Sequence, residues 1–501
     1  MPVWEGFDEP YHLAYVTFVA RHGRPPAFDE PSLPVEYARL TPLLPSWLPH
    51  APSFDRWRRE GPEWQEASRV QATRVGSGMS GPVQYIRTNY ERQHPPLFYF
   101  AAAPFAWLMR TASLPSFVVG VRLFCVLVAS FLVPLTARLG RLLLPRRGLF
   151  FALPLAALLP NTLFFADRIT NDALAWPILA AAAGQLVLAA RRPSRRRFLV
   201  LGFLVAAGAW TKMTLLPLLP AAIVAALLAR RRRDGRRIEY LIGAGALPAA
   251  LIAPLLLWNT AASGVWSGIT YNILPLHPGL SAVLAQWRPL DVPSVLGQWA
   301  RMHLWAGGWE FLLPAASVYR GALVALLVLG LAGLLAARWR GTKPPGGSRW
   351  LPLGSLAVFF IGAMVFHVLS AAAAGILVAK PPLAGSEGWY FDVLRPIEVC
   401  AASALLCAAI PARRTALATG LLLGLLVLVD AAGTLGLLLP HWAGQPSAGW
   451  SPAALGQVVS GSWRAAPWLY PPPLAMALGA VFAAACVRLV VLARELPTIA
   501  T

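Results

Sequence analysis

Charged side chains are scarce in this chain, so the few that stand beside apolar runs are the first place to look for chemistry. Asp8, Glu9 and His12 open it in WEGFDEPYH (4–12), and Asn89, Gln93 and His94 lie in NYERQHPPLFYF (89–100). Arg122 sits just inside an apolar run, and Asp167, Arg168, Asn171 and Asp172 crowd one short gap. Lys212 separates two apolar segments, and Tyr390 and Arg395 belong to GSEGWYFDVLRP (385–396). Ions at the mouths of apolar helices cost desolvation unless they are paired or wet, and in a bilayer they are functional by default. A carboxylate in such a set can take the proton of an acceptor hydroxyl or amine, and the cations can hold phosphate and steady a leaving group. The pattern suits work on a lipid-linked, phosphate-bearing substrate.

Each residue also has a plainer reading. Asp8 and Glu9 favour a helix start through the helix dipole, and His12, one turn after Asp8, can pair with it or with a metal. An Asp–His pair is not a zinc site, and no full ligand set is visible, so the need for a divalent metal stays open. Asp172 is placed to cap a helix, Lys212 to snorkel, and Arg168 to balance Asp167. In HPP (94–96) the prolines can act only as a helix stop and restart. GSGMSG (76–81) lacks the Lys-Ser/Thr of a phosphate loop.

The elements that must hold these groups are set by composition. Of 501 residues, 57% are hydrophobic and 13% charged, with a mean hydropathy of +0.57. Repeated apolar runs of bilayer-crossing length describe an all-α polytopic membrane protein and exclude an ordinary soluble domain. The net charge of +21 does not mark a nucleic-acid binder, because the arginines cluster in short gaps between apolar runs. Cys125, Cys400, Cys407 and Cys486 all lie in apolar segments and read as small packing residues.

The basic gaps 138–147, 191–197, 230–237 and 338–349 are assigned to the cytoplasmic side. Between them about eleven spans are expected: 117–139, 148–165, 173–190, 199–211, 213–229, 240–258, 313–337, 351–377, 396–412, 415–437 and 471–492. The segments 199–211 and 213–229 read as a hairpin turning at Lys212, and 97–112 as too short for an ordinary crossing. Alternation then puts every group named above on the outer face. The organisation expected is an outer loop with juxtamembrane helices (1–116), a catalytic membrane module (117–258), an outer loop (259–312), and a C-terminal membrane module (313–501) with outer loops 378–395 and 438–470. Within the first loop, Pro10 to Ala20 reads as a helix on the membrane surface, with one apolar stripe, and 23–95 as loops and short helices without a core. Trp442, Trp450, Trp463 and Trp468 in the last loop suit either acceptor binding or an interfacial aromatic belt.

Taken in order, FDEPYH, HPPLFYF, Arg122 at a span head, NDAL (171–174) and TK (211–212) resemble the GT-C superfamily of integral membrane glycosyltransferases. The likeness is to protein O-mannosyltransferases, lipid A aminoarabinose transferases and related bacterial cell-envelope proteins, and it covers about the first 230 residues. It implies a multi-pass cell-membrane (inner or plasma membrane) enzyme with a GT-C-like bundle and a long outer first loop. The implied reaction moves a sugar, with inversion, from a polyprenyl-phosphate or diphosphate donor to an acceptor that is a protein, a lipid or a glycan. Asp8 is then the first candidate for the base and Glu9 the second, and Asp172 matches the acid of the second outer loop. His94, Gln93, Arg122, Lys212 and Arg168 would face the donor phosphate. His12, Asn89, Asn171, Tyr390 and Arg395 remain as further substrate contacts. Some relatives carry Gly-Arg-Tyr where this chain has Gly388, Trp389 and Tyr390, with Arg395 five residues on. The family's usual first membrane helix is not seen ahead of Asp8, so it is either left out of this sequence or replaced by a later span. A polytopic transporter or lipid-linked-sugar flippase is the competing class, and would call for paired interrupted helices at the bilayer middle.

Overall fold

The computed structural model describes residues 8–40, 83–229, 236–266, 280–304, 316–339, 349–373, 388–435 and 472–499, with Met79 and Pro452 as single positions. The glycine-rich stretch 76–82, apart from Met79, and the tryptophan-bearing loop 438–470, apart from Pro452, lie outside the described residues.

The chain opens with α1 (Glu9–His22), started by Pro10, whose missing N–H is no loss in the first turn. A short strand β1 (Pro31–Pro34) leads into α2 (Val35–Leu40) and pairs antiparallel with β2 (Tyr85–Thr88). A 3-10 turn (Tyr90–Gln93) follows, and Pro96 starts α3 (Leu97–Leu108). Contrary to the sequence reading, this region has a core. Leu33, Tyr37 and Met79 join Leu13, Tyr15, Phe98, Phe117 and Val121 in one buried cluster. Nor does α1 bury a single stripe: every residue from Glu9 to Val19 is buried. Protein covers it all round, with Tyr15 stacked on Tyr99 of α3 at 3.6 Å between ring centres.

The membrane module follows as α4 (Leu114–Ser130), α5 (Leu132–Leu143), α6 (Leu149–Leu158), α7 (Pro160–Ala166), α8 (Asp172–Arg191), α9 (Arg195–Thr211) and α10 (Leu218–Ala229). Then come α11 (Arg237–Leu241), a π-helical segment (Ile242–Ala246) and α12 (Leu247–Ser263) as one rod. Proline accounts for its interruptions. Pro134 has no N–H for the Ser130 carbonyl where α4 gives way to α5, and Pro248 has none for Ala244 in the π-helical segment. Beyond the module lie α13 (Leu280–Ala285), α14 (Val292–Leu304), α15 (Ala316–Trp339), α16 (Leu351–Ala373), a 3-10 stretch (Gly388–Leu394), α17 (Arg395–Ala409), α18 (Thr415–Gly433) and α19 (Pro472–Ile499).

Among the described residues six helices are long and apolar enough to cross a membrane: Leu114–Leu143, Asp172–Arg191, Arg237–Ser263, Leu351–Ala373, Ala412–Gly433 and Met476–Glu495. They coincide with six of the expected spans, and the described residues of the remaining expected spans are mostly helical, with 148–165 divided at Leu159 into α6 and α7. The chain is a helical, multi-pass membrane protein.

Two pairings fix the direction of the central rods. Gln185 of α8 donates to the Arg197 carbonyl near the start of α9, while Asp172 at the start of α8 meets Lys212 at the end of α9, so these two helices are antiparallel. Phe198 packs on Tyr240, and Trp210 Nε1 donates to the Leu251 carbonyl at 2.8 Å, so α9 runs parallel to the α11–α12 rod. The backbones come close at Gly202, where a Cβ would lie 2.2 Å from the Gly243 carbonyl oxygen. Small residues at such a crossing let membrane helices approach.

Candidate active site

Asp8 is held in the left-handed region, φ 54 and ψ 11, and is the only non-glycine with positive φ among the described residues. Aspartate tolerates this conformation better than most residues. Its carbonyl accepts from the Tyr11 and His12 amides, but its carboxylate makes no helix-capping bond. The carboxylate instead accepts from the Tyr90 hydroxyl. The side chain is therefore turned away from the helix that its own backbone starts.

Glu9, the neighbouring carboxylate, is fully buried. Arg122 grips it with two bonds, Nε to Oε1 at 2.7 Å and Nη2 to Oε2 at 2.6 Å, and the Ile169 amide adds a third at 3.3 Å. This pair ties α1 to α4 and to the loop before α8.

The 3-10 turn supplies the next wall. Asn89 caps it through the Glu91 amide and holds the Tyr11 carbonyl with its own amide at 2.6 Å, so its side chain is occupied in joining the turn to α1. Glu91 is buried, 2.7 Å from His94 Nε2 and 3.7 Å from His12 Nδ1. His12 shares a 2.8 Å hydrogen bond with the Tyr99 hydroxyl. Burial drives the His12 pKa down to about 4, even with Glu91 pulling the other way, so its ring is neutral near pH 7. Gln93 is buried with its Oε1 unbonded among the described residues.

The third wall is made where α8 begins and α9 ends. Lys212 has extended backbone, and its Nζ donates to Asp172 Oδ1 at 2.6 Å. The same ammonium lies 5.5 Å from the centre of the Tyr390 ring. At 6% exposure it turns inward and does not snorkel. Asn171 donates to the Thr211 carbonyl at 3.3 Å and fastens the two ends together. Arg168, in the preceding loop, lies over the Phe165 ring at 3.5 Å. Burial lowers its pKa to about 9 against the fields of Asp172, Glu9, Asp392 and Asp8. Burial holds the Tyr99 hydroxyl well above the usual phenol range, and the fields of Glu91, Tyr15, Asp172 and Asp8 push it the same way.

Arg395 belongs to a separate network. It pairs with the buried Asp392 and donates to the His303 carbonyl at 3.0 Å. His303 stands 2.7 Å from Asp392 and 3.1 Å from Glu398, and Asn161 donates to Asp392 Oδ2 at 3.0 Å. Asp392 lies two residues from Tyr390, so this network anchors the segment that brings Tyr390 to Lys212.

Sequence reasoning passed over Tyr90, Glu91 and Tyr99 in the first half, and Asp392, His303 and Glu398 in the second. Two signals were available: a carboxylate three residues before His94, and another three before Arg395. Among the described residues no group of three or more His, Cys, Asp or Glu side chains is placed to hold a metal ion.

A helical membrane protein with buried carboxylate–cation pairs gathered where its rods end is the class that this geometry defines. Residues 93–258 match the family model described as dolichyl-phosphate-mannose-protein mannosyltransferase. They form a membrane glycosyltransferase domain of the GT-C superfamily, as the motifs indicated, and the match takes in Gln93, His94, Arg122, Arg168, Asn171, Asp172 and Lys212. Neither a curated protein nor a solved structure matches the chain.

Proposed function

We propose that the chain transfers a sugar, with inversion, from a polyprenyl-phosphate-linked donor to an acceptor hydroxyl or amine at the outer face of the cell membrane. The observation that carries the reading is the set of buried contacts that puts Asp8 on Tyr90, Glu91 on His94 and Asp172 on Lys212, with the first two pairs meeting on the same 3-10 turn. Asp8 takes the acceptor proton as the acceptor atom bonds to the anomeric carbon. The bond from that carbon to the phosphate oxygen breaks at the same time, and the phosphate departs carrying the electron pair. Lys212, with His94, Gln93 and Arg168, receives that charge, and low local dielectric makes each such contact count for more than in water. Asp172 holds Lys212 in place until the donor enters.

In this reading Glu9 and Arg122 are positioning residues, because each already satisfies the other. Asn89 and Asn171 likewise hold backbone together. Tyr390 faces the Lys212 ammonium and guides donor placement, while Arg395 acts through the segment bearing Tyr390. Residues 117–258 serve as the catalytic membrane module under the outer loop 1–116.

The test replaces Asp8 with Asn in purified, bilayer-reconstituted protein and follows transfer from a radiolabelled polyprenyl-phosphate sugar. Loss of about 10²–10⁴-fold in rate is expected for removal of a general base. Transfer at the unaltered rate would remove Asp8 from that role.

A further inference from the structure

A groove of about 1000 Å³ lies between the first loop and the end of α12, with walls that include Phe28, Asp29, Thr88, Arg92, Trp258 and Ser263. Because α9 and the α11–α12 rod are parallel, Trp258 and Lys212 mark the same end of the bundle. The 3-10 turn connects the groove to the candidate site through three consecutive residues. Tyr90 donates to Asp8, Glu91 pairs with His94, and Arg92 lines the groove.

We infer that this groove is a saccharide-binding subsite for the acceptor, an inference that rests on the glycosyltransferase reading and narrows its acceptor class. Arg92 is 9% exposed and lies over the Phe28 ring at 5.4 Å. Its Nη1 has no hydrogen-bond partner among the described residues. That N–H is shut off from the groove, so a saccharide would meet Arg92 through the part of its side chain that lines the wall. Phe28 and Trp258 stand 5.6 Å apart and tilted by 51°, giving the groove aromatic surface against which the apolar face of a sugar ring can pack.

The charges argue against an anionic ligand. Arg24 is already held by both oxygens of Glu30 at 2.8 Å, and Asp29 projects from the same wall as an exposed carboxylate acting on Arg92. A phosphate or carboxylate entering here would meet Asp29, whereas a neutral, hydroxyl-rich ligand can donate to Asp29 and accept from Arg92. A bare lipid chain would leave both unsatisfied. Donors, acceptors and aromatic faces in one concave site are the means by which a neutral saccharide is recognised.

The experiment measures binding to the detergent-solubilised full chain by saturation-transfer NMR and calorimetry. The probes are mannotriose and maltotriose, with a serine/threonine-rich octapeptide and inorganic phosphate as the competing classes. At least one trisaccharide should bind, and both Arg92→Met and the exposed-site change Asp29→Ala should weaken it tenfold or more. Failure of both trisaccharides to bind overturns the inference, as does an affinity left unaltered by both variants. Binding of the peptide or of phosphate alone, lost in the variants, overturns it too and assigns the groove to that class. Donor hydrolysis by the unmodified protein is assayed in parallel. Absence of donor turnover with saccharide binding intact rejects the transferase reading alone, and turnover without saccharide binding rejects only the groove.

Discussion

Lys212 stands 2.6 Å from Asp172 and 5.5 Å from the centre of the Tyr390 ring, so one ammonium joins the end of α9, the start of α8 and a segment some 180 residues further along the chain. Its charge is balanced in this state, and a donor phosphate would share it with Asp172. Lys212→Met should lower kcat/KM for the lipid-linked donor about 10²–10³-fold, the scale for losing one electrostatic contact to a leaving group. Initial rates against donor concentration check this. An unaltered kcat/KM would take Lys212 out of the donor site.

The Glu9–Arg122 pair makes a different prediction, because its function is to hold parts together. Breaking a buried pair from one side leaves an uncompensated ion and costs about 3–5 kcal/mol. Glu9→Leu and Arg122→Met should each lower the thermal midpoint in detergent. The double change Glu9→Leu with Arg122→Met should recover much of that loss, because neither charge is then stranded. Strict additivity of the two losses would contradict the pairing.

Two histidines should set opposite flanks of the pH–stability profile. Burial tends to lower the His303 pKa, but Glu398 and Asp392 outweigh it and Arg395 together, raising it from 6.5 to about 9. Its folded-state pKa is raised, so its stabilising contribution is complete below about pH 6.5 and fades as pH climbs through about 9. His12 is the reverse: burial lowers its pKa to about 4, so its contribution is complete above about pH 6.5 and fades as pH falls through about 4. Thermal midpoints measured from pH 4 to 10 should fall on both sides. His303→Gln should flatten the alkaline limb and His12→Gln the acid limb, each leaving the other in place.

Gly202 offers a test of the packing under the site. An alanine there would set its Cβ 2.2 Å from the Gly243 carbonyl oxygen, a backbone atom that no rotamer change can move. The rods must then part, at a cost of about 1–3 kcal/mol for overpacking. Gly202→Ala should lower the thermal midpoint, while Gly184→Ala, with open space around its Cβ site, should not.

What could be read in the sequence followed from how far each signal reaches. Apolar run length depends on neighbours along the chain, so 173–190 and 351–377 anticipated Asp172–Arg191 and Leu351–Ala373 closely. The hairpin at Lys212 was equally legible, because a lone lysine between two apolar segments must find a polar place to turn. The subdivision at Leu159 was not, although Pro160 stood there to mark it. Partnerships formed across long separations were also hidden. Glu9 read as a possible base because nothing near it in the chain reveals Arg122, 113 residues away. The network of Asp392 with His303 and Asn161 joins three helices or helix ends that no local pattern connects.

The turn from Tyr90 to Gln93 acts as an index. A 3-10 helix completes a revolution in about three residues, so Tyr90, Glu91 and Arg92 leave it in three directions roughly 120° apart. Each direction has its own destination: Asp8, His94 or the groove. Adding or deleting one residue inside the turn would not loosen a single contact. It would permute all three, sending each side chain to its neighbour's address. Drift in length is therefore barred at this point of the chain even where substitution is tolerated, and homologous chains that preserve the site should align here without a gap.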